Sequence, residues 1–109
     1  MGKPLTGEVV VLPFPQTNLQ SGKRRPALVV ADLPGDDLIL CQITSQMRNA
    51  GFSVPLSAID FERGRLAVDS FLRPQRLFTG AKRHSLRRRN NQKYTKLQEV
   101  KAGIRQIFA

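Results

Sequence analysis

Tryptophan is absent from this chain, and its 109 residues include one cysteine, one histidine and one tyrosine. A lone cysteine excludes an internal disulfide and any cysteine-rich zinc site. The lone histidine, His84, has no companion at metal-ligand spacing, so neither a metal nor any other cofactor is expected. No apolar run approaches the roughly 20 residues that a membrane helix needs. The N-terminal stretch "MGKPLTGE" lacks the apolar region of a signal peptide. A cytoplasmic protein with no membrane partner is therefore the expectation.

Acidic residues are scarce, but only at one end. Residues 1–69 carry seven Lys/Arg against seven Asp/Glu, and residues 70–109 carry eleven against one, Glu99. The whole net charge of +10 thus belongs to the last 40 residues. Such asymmetry favours a polyanionic partner, nucleic acid above all. A solubilising basic surface explains the charge alone equally well.

What the chain does contain is strand-like. "GEVVVLPFP" (7–15) is a β-branched run closed by prolines, and "QTNLQSGKR" (16–24) is a polar loop. "PALVVAD" (26–32) is a second strand, with Pro26 tolerated at its first position. In "LPGDD" (33–37), Pro34 and Gly35 fit the two central positions of a type II turn. A link that short makes the third strand, "LILCQITSQ" (38–46), antiparallel to the second. "FSVPLSAI" (52–59) and "RLAVDSFLRPQRLFT" (65–79) supply further short strands. "AKRHSLRRRNNQK" (81–93) reads as a basic, mobile or irregularly helical connector. Leu97, Val100, Ile104, Ile107 and Phe108 then recur at helical spacing. Thr95 followed by Gln98 fits a capping box for that helix. Gly103 costs it about 1 kcal/mol against alanine, so packing is expected to hold it. The fold class is mostly β (α+β), a small barrel or sandwich with a C-terminal amphipathic helix. One domain spans 1–109: a barrel over about 6–80, the connector over 81–93 and the helix over about 95–108.

Chemistry is sought first on the third strand, where side chains alternate between faces. Leu38, Leu40, Gln42 and Thr44 share one face, which ends polar, and Gln42, Thr44 and Gln46 emerge together at a lip. If the loop before the second strand lies beside that lip, Arg25 comes close to Thr44. A guanidinium fork and a hydroxyl converging on one point would receive a phosphate. Pro26 stiffens the backbone next to the arginine. By itself a threonine at a strand end is more often just a good strand former, and a loop arginine is more often solvated.

Three blocks, "GEVVVLPFPQTNLQSGKRRPALVVAD", "DLILCQITSQ" and "VDSFLRPQRLFT", resemble in register the signatures of the PemK/MazF family, the toxin halves of toxin–antitoxin pairs. The resemblance covers about residues 6–80. It implies an SH3-like β-barrel acting as a homodimer. The implied activity is metal-independent, sequence-selective cleavage of single-stranded RNA (mRNA) by 2′-hydroxyl attack, leaving 2′,3′-cyclic phosphate and 5′-hydroxyl ends. It further implies an acidic, partly disordered cognate antitoxin that covers the RNA groove. The family's central arginine matches Arg25 and its central threonine matches Thr44. Lys23, Arg24, Gln42, Ser45, Gln46, Ser70 and Arg73 are the positions expected to bind RNA or support the site. The chain departs from the family pattern at Glu8, where aspartate is frequent, and at "LQSG" (19–22) in the first loop.

The remaining candidates have bland readings beside the functional ones. Phe14 and Phe78 can stack on bases, though core packing is the commoner role for phenylalanine. Cys41 reads as a small strand hydrophobe. Arg87, Arg88 and Arg89 read as a phosphate- or antitoxin-attracting face, or as a plain surface run. Two rival functions remain open: a gyrase poison of the same fold, like CcdB-type toxins, and a barrel that binds nucleic acid without cutting it.

Overall fold

A computed structural model of the chain describes residues 6–13, 24–45, 53–63, 69–84, 86–92 and 94–109; for 13, 24, 58, 62–63, 86–92 and 94–95 the backbone alone is described. Among the described residues seven strands form one antiparallel sheet: β1 (Glu8–Pro13), β2 (Arg24–Asp32), β3 (Asp37–Thr44), β4 (Val54–Leu56), β5 (Phe61–Arg63), β6 (Ser70–Ala81) and β7 (Leu86–Gln92). Their spatial order is β4-β6-β3-β2-β1-β7-β5. The helix α1 (Tyr94–Ile107) follows. The two edge strands, β4 and β5, are joined through a 3-10 turn, Ala58–Asp60. Val54 and Leu56 from one edge and Phe61 from the other enter the same core as Val9, Leu28, Cys41, Ile43 and Leu72. The sheet therefore curls into a partly closed, mostly β barrel, as the sequence predicts.

Period-2 alternation divides the buried side chains into two clusters on opposite faces of β1, β2 and β3. The first is the barrel core just described, and α1 lies on it through Leu97, Val100 and Ile104. The second comprises Val10, Leu12, Ala27, Val29, Leu38 and Leu40, with Phe78 packed against it. Phe78 is thus a packing residue, the commoner of the two roles that its sequence position allowed. Phe14 lies outside the described residues.

The turn between β2 and β3 is built around its glycine. Gly35 sits at φ 77°, in the left-handed region that glycine reaches without strain, and the turn proper falls on Gly35 and Asp36. Lys82 closes over this turn. Its Nζ donates to the carbonyl oxygens of Leu33 at 2.8 Å and Gly35 at 2.7 Å, and pairs with Asp32 at 2.8 Å. Arg83 pairs with Asp36 beside it.

Residues 81–93 correct the sequence reading. They hold a 3-10 turn at Lys82–His84 and then β7, which pairs with β1 (Glu8↔Asn91, Val9↔Asn90, Val10↔Arg87, Val11↔Leu86) and with β5. Local propensity is poor for a strand in "RRRNNQ", but backbone pairing with the buried β1 overrides it. The side chains of Arg87, Arg88 and Arg89 lie outside the described residues.

The helix starts at Tyr94 rather than after Thr95, whose side chain is not among those described. A Cβ on Gly103 would stand 3.3 Å from Cγ of Pro74. Glycine therefore lets α1 approach β6 closely, which is the packing reason its low propensity calls for. Lys96, half-buried near the start of α1, donates to the Pro55 carbonyl at 2.9 Å and pairs with Glu99 at 3.1 Å and Asp60 at 3.6 Å. Asp60 in turn accepts from the Ser57 backbone N–H at 2.8 Å.

Candidate functional site

The site begins with a proline in the middle of a strand. β2 pairs with β1 as far as Pro13↔Arg24, with Val11 opposite Pro26 and Leu12 opposite Arg25. On its other side β2 pairs with β3 only from Asp32↔Leu38 to Ala27↔Gln42. Pro26 has no N–H to donate, so the β2–β3 ladder ends one residue before it. β3 continues with β6 instead, through Gln42↔Arg73, Ile43↔Leu72 and Thr44↔Phe71. The sheet thus forks past Ala27: Arg25 stays with β1, and Thr44 stays with β6. Pro26 was expected at the first position of its strand; it is the third residue, and its missing donor is what opens the fork.

Two rows of side chains cross this fork on the face of the second core. The inner row is Val10, Ala27, Gln42 and Arg73, matched strand to strand. The outer row is Leu12, Arg25, Thr44, Phe71 and Pro55, where carrying the β2–β3 register on by two residues sets Arg25 opposite Thr44. The floor is apolar and buried, since Val10 and Ala27 have no exposure and Leu12 has 2%. The far ends of both rows are accessible: Arg25 is exposed, and Thr44, Gln42, Arg73 and Phe71 are half-buried. Arg73 Nη1 donates to Gln42 Oε1 at 3.1 Å. That bond spends one donor of the guanidinium and fixes the fork of the others.

The arrangement brings Arg25, Thr44, Gln42 and Arg73 to one face. Two cations, one of them held by Gln42, with an amide and a hydroxyl over an apolar floor suit an oxyanion such as a phosphate diester. Ser45 is exposed just past the end of β3. Ser70 is different: it is 5% exposed, alternates with Arg73 and faces the barrel core from its pairing with Leu56. It supports the strand from beneath rather than reaching the groove. Lys23 and Gln46 lie outside the described residues, as does the side chain of Arg24.

Cys41 has no exposure, and burial pushes its thiol up from the ordinary 9.0 to about 12. It is neutral and inert, on the face opposite the groove. Among the described residues no group of His, Cys, Asp or Glu is arranged to hold a metal ion. Among them, too, no helix is long and apolar enough to cross a membrane.

The Gln42–Arg73 bond and the placement of Phe71 beside Thr44 escape a reading of the sequence. β3 and β6 are 31 positions apart at that pair, so no short turn sets their register. The register also shifts between Cys41 and Gln42, where Pro74, Gln75 and Arg76 stand opposite no residue of β3. This bulge reverses the parity of β6: Leu72 faces the barrel core before it and Leu77 after it.

Comparison with solved structures shows the same fold. A chain of the MazE–MazF structure from Deinococcus radiodurans superposes with a TM-score of 0.75 at 22% identity, over 100% of this chain and 98% of that one. MazF from the same organism gives 0.73 at 23%, over 99% and 98%. An endoribonuclease bound to its cognate antitoxin, from a mycobacterial species, gives 0.71 at 14%, over 96% and 94%. Among curated proteins, no sequence matches the chain significantly. Residues 5–108 match the family described as the PemK-like, MazF-like toxin of type II toxin–antitoxin systems. With that match running across nearly its whole length, the chain belongs to the PemK/MazF toxin family.

Proposed function

We propose that this toxin is an endoribonuclease that cuts single-stranded RNA at the fork between β2 and β3. What supports the reading is the end of the β2–β3 ladder at Ala27↔Gln42, past which the same register, carried on by two residues, would set Arg25 opposite Thr44 on the face shared by Gln42 and Arg73. The scissile phosphate sits between them. The ribose 2′-oxygen bonds to phosphorus while the bond from phosphorus to the 5′-oxygen breaks. The 2′-hydroxyl proton passes to solvent water and the departing 5′-oxygen takes one from water, which leaves a 2′,3′-cyclic phosphate and a 5′-hydroxyl. Arg25 stabilises the charge that builds on the phosphorane, and Thr44 donates to a non-bridging oxygen. Donors aimed in advance at developing charge are commonly the largest catalytic contribution. Arginine is a poor general base because its pKa exceeds about 12, so its role is electrostatic. Arg73, held by Gln42, adds a second cation for the adjoining phosphate. No metal takes part in this scheme.

The antitoxin complexes among its structural relatives support one further part of the reading, an antitoxin partner; the rest of it follows from the family resemblance. An acidic cognate antitoxin covers the groove, and the toxin acts as a cytoplasmic homodimer. The test is incubation of the purified protein with a long single-stranded RNA in EDTA, followed by mapping of the cut ends. Discrete cuts with 5′-hydroxyl and cyclic-phosphate ends are expected. Intact RNA, together with inhibition in a gyrase supercoiling assay, would overturn the reading in favour of a gyrase poison.

A further inference from the structure

We infer that Phe71 is a base-stacking platform, and so a determinant of which nucleotide sits beside the cut. The inference rests on the RNA reading above and names a subsite within it. Phe71 stands in the outer row directly opposite Thr44 on one side and Pro55 on the other. Antiparallel partners of this kind hold their Cβ atoms about 5 Å apart. Arg73 follows two residues along the same face, about 7 Å away along the strand. The ring is half-buried, and it belongs to neither hydrophobic cluster, unlike Leu72, Leu77 and Phe78 on the same strand. An aromatic side chain on the groove face, outside both cores and between a hydroxyl and a fixed guanidinium, has the setting of a stacking platform in a single-strand binding groove. There, cations track the backbone and aromatic faces take the bases. Pro55, exposed on the edge strand, forms the apolar rim beyond it. A phosphate between Arg25 and Thr44 leaves its neighbouring base within reach of this ring.

The test uses a 2′-O-methyl RNA oligonucleotide that carries a mapped cleavage site and cannot be cut. One base at a time is replaced by an abasic residue on either side of the site. Binding is measured for the wild type, Phe71→Leu, Phe71→Trp and Arg25→Ala, each checked for its fold by circular dichroism. Phe71→Leu is expected to lose roughly 10- to 100-fold in affinity for the intact oligonucleotide. It should lose almost nothing for the oligonucleotide that lacks one particular base, and Phe71→Trp should bind as the wild type does. Arg25→Ala should weaken binding to all the oligonucleotides alike. If Phe71→Leu binds every oligonucleotide as tightly as the wild type, or is weakened equally for all of them, the platform is refuted while RNA cleavage stands. A wild type that cuts no RNA, and so gives no site to map, would refute both.

Discussion

Gln42 stands where the groove face of β3 turns from apolar to polar, and its partner decides what the site can do. Because its Oε1 accepts from Arg73 at 3.1 Å, the arginine is held in one orientation rather than left to sweep the surface. A hydrogen bond to a charged group contributes on the order of 1.5–3 kcal/mol when it is broken. Gln42→Leu should therefore lower kcat/KM for RNA about tenfold or somewhat more, mainly through KM, while thermal unfolding barely moves; a large fall in Tm with unchanged kinetics would make the bond structural only. The opposite face of the same strand carries a different prediction. Cys41 holds its proton up to about pH 12 in the folded chain, against 9.0 for an ordinary thiol, because burial disfavours the thiolate. A raised thiol pKa stabilises the fold while both states are protonated, and that contribution is lost as pH climbs from 9 towards 12. Urea midpoints should fall more steeply over that range in the wild type than in Cys41→Ala. A thiol reagent at neutral pH should label Cys41 only after unfolding.

At the scale of elements, the hairpin of β2 and β3 was legible because its cause is local. Gly35 admits the turn, and alternation dictates the faces. Alternation alone thus assigns Thr44 and Gln42 to one face. β7 was not legible, since nothing in "RRRNNQ" favours a strand and its pairing partner β1 lies some 80 positions earlier in the chain. The parity change in β6 was hidden for a related reason. The bulge at Pro74–Arg76 lies where α1 seats Gly103 on Pro74, a contact between distant segments. Lys82 shows how such distant segments are tied together. Its side chain is 12% exposed and links the end of β6 to Asp32, Leu33 and Gly35. Lys82→Met keeps the apolar stem and removes the charge, so it should cost about 2 kcal/mol in urea unfolding without altering RNA cleavage. A loss below about 0.5 kcal/mol would mean that the clamp is no stronger than an exposed surface ion pair.

Over the whole molecule, the charge is distributed as its proposed work requires. The acidic and basic residues of the first 69 positions balance, and the excess of ten cations arrives with β6, β7 and α1. That field draws a polyanion to the molecule without choosing its sequence, whereas the fork beyond Ala27 supplies the groups that would act on one phosphate. Binding should weaken steeply with salt, while the position of the cuts should not change. The central claim is that Arg25, opposite Thr44, receives the scissile phosphate. Single-turnover cleavage of one mapped RNA by the wild type and by Arg25→Ala, with fold and oligomeric state matched beforehand, tests it most directly. The account predicts a loss of about 10²- to 10³-fold in the cleavage rate at an unchanged cut site. Cleavage by Arg25→Ala at the wild-type rate would contradict it.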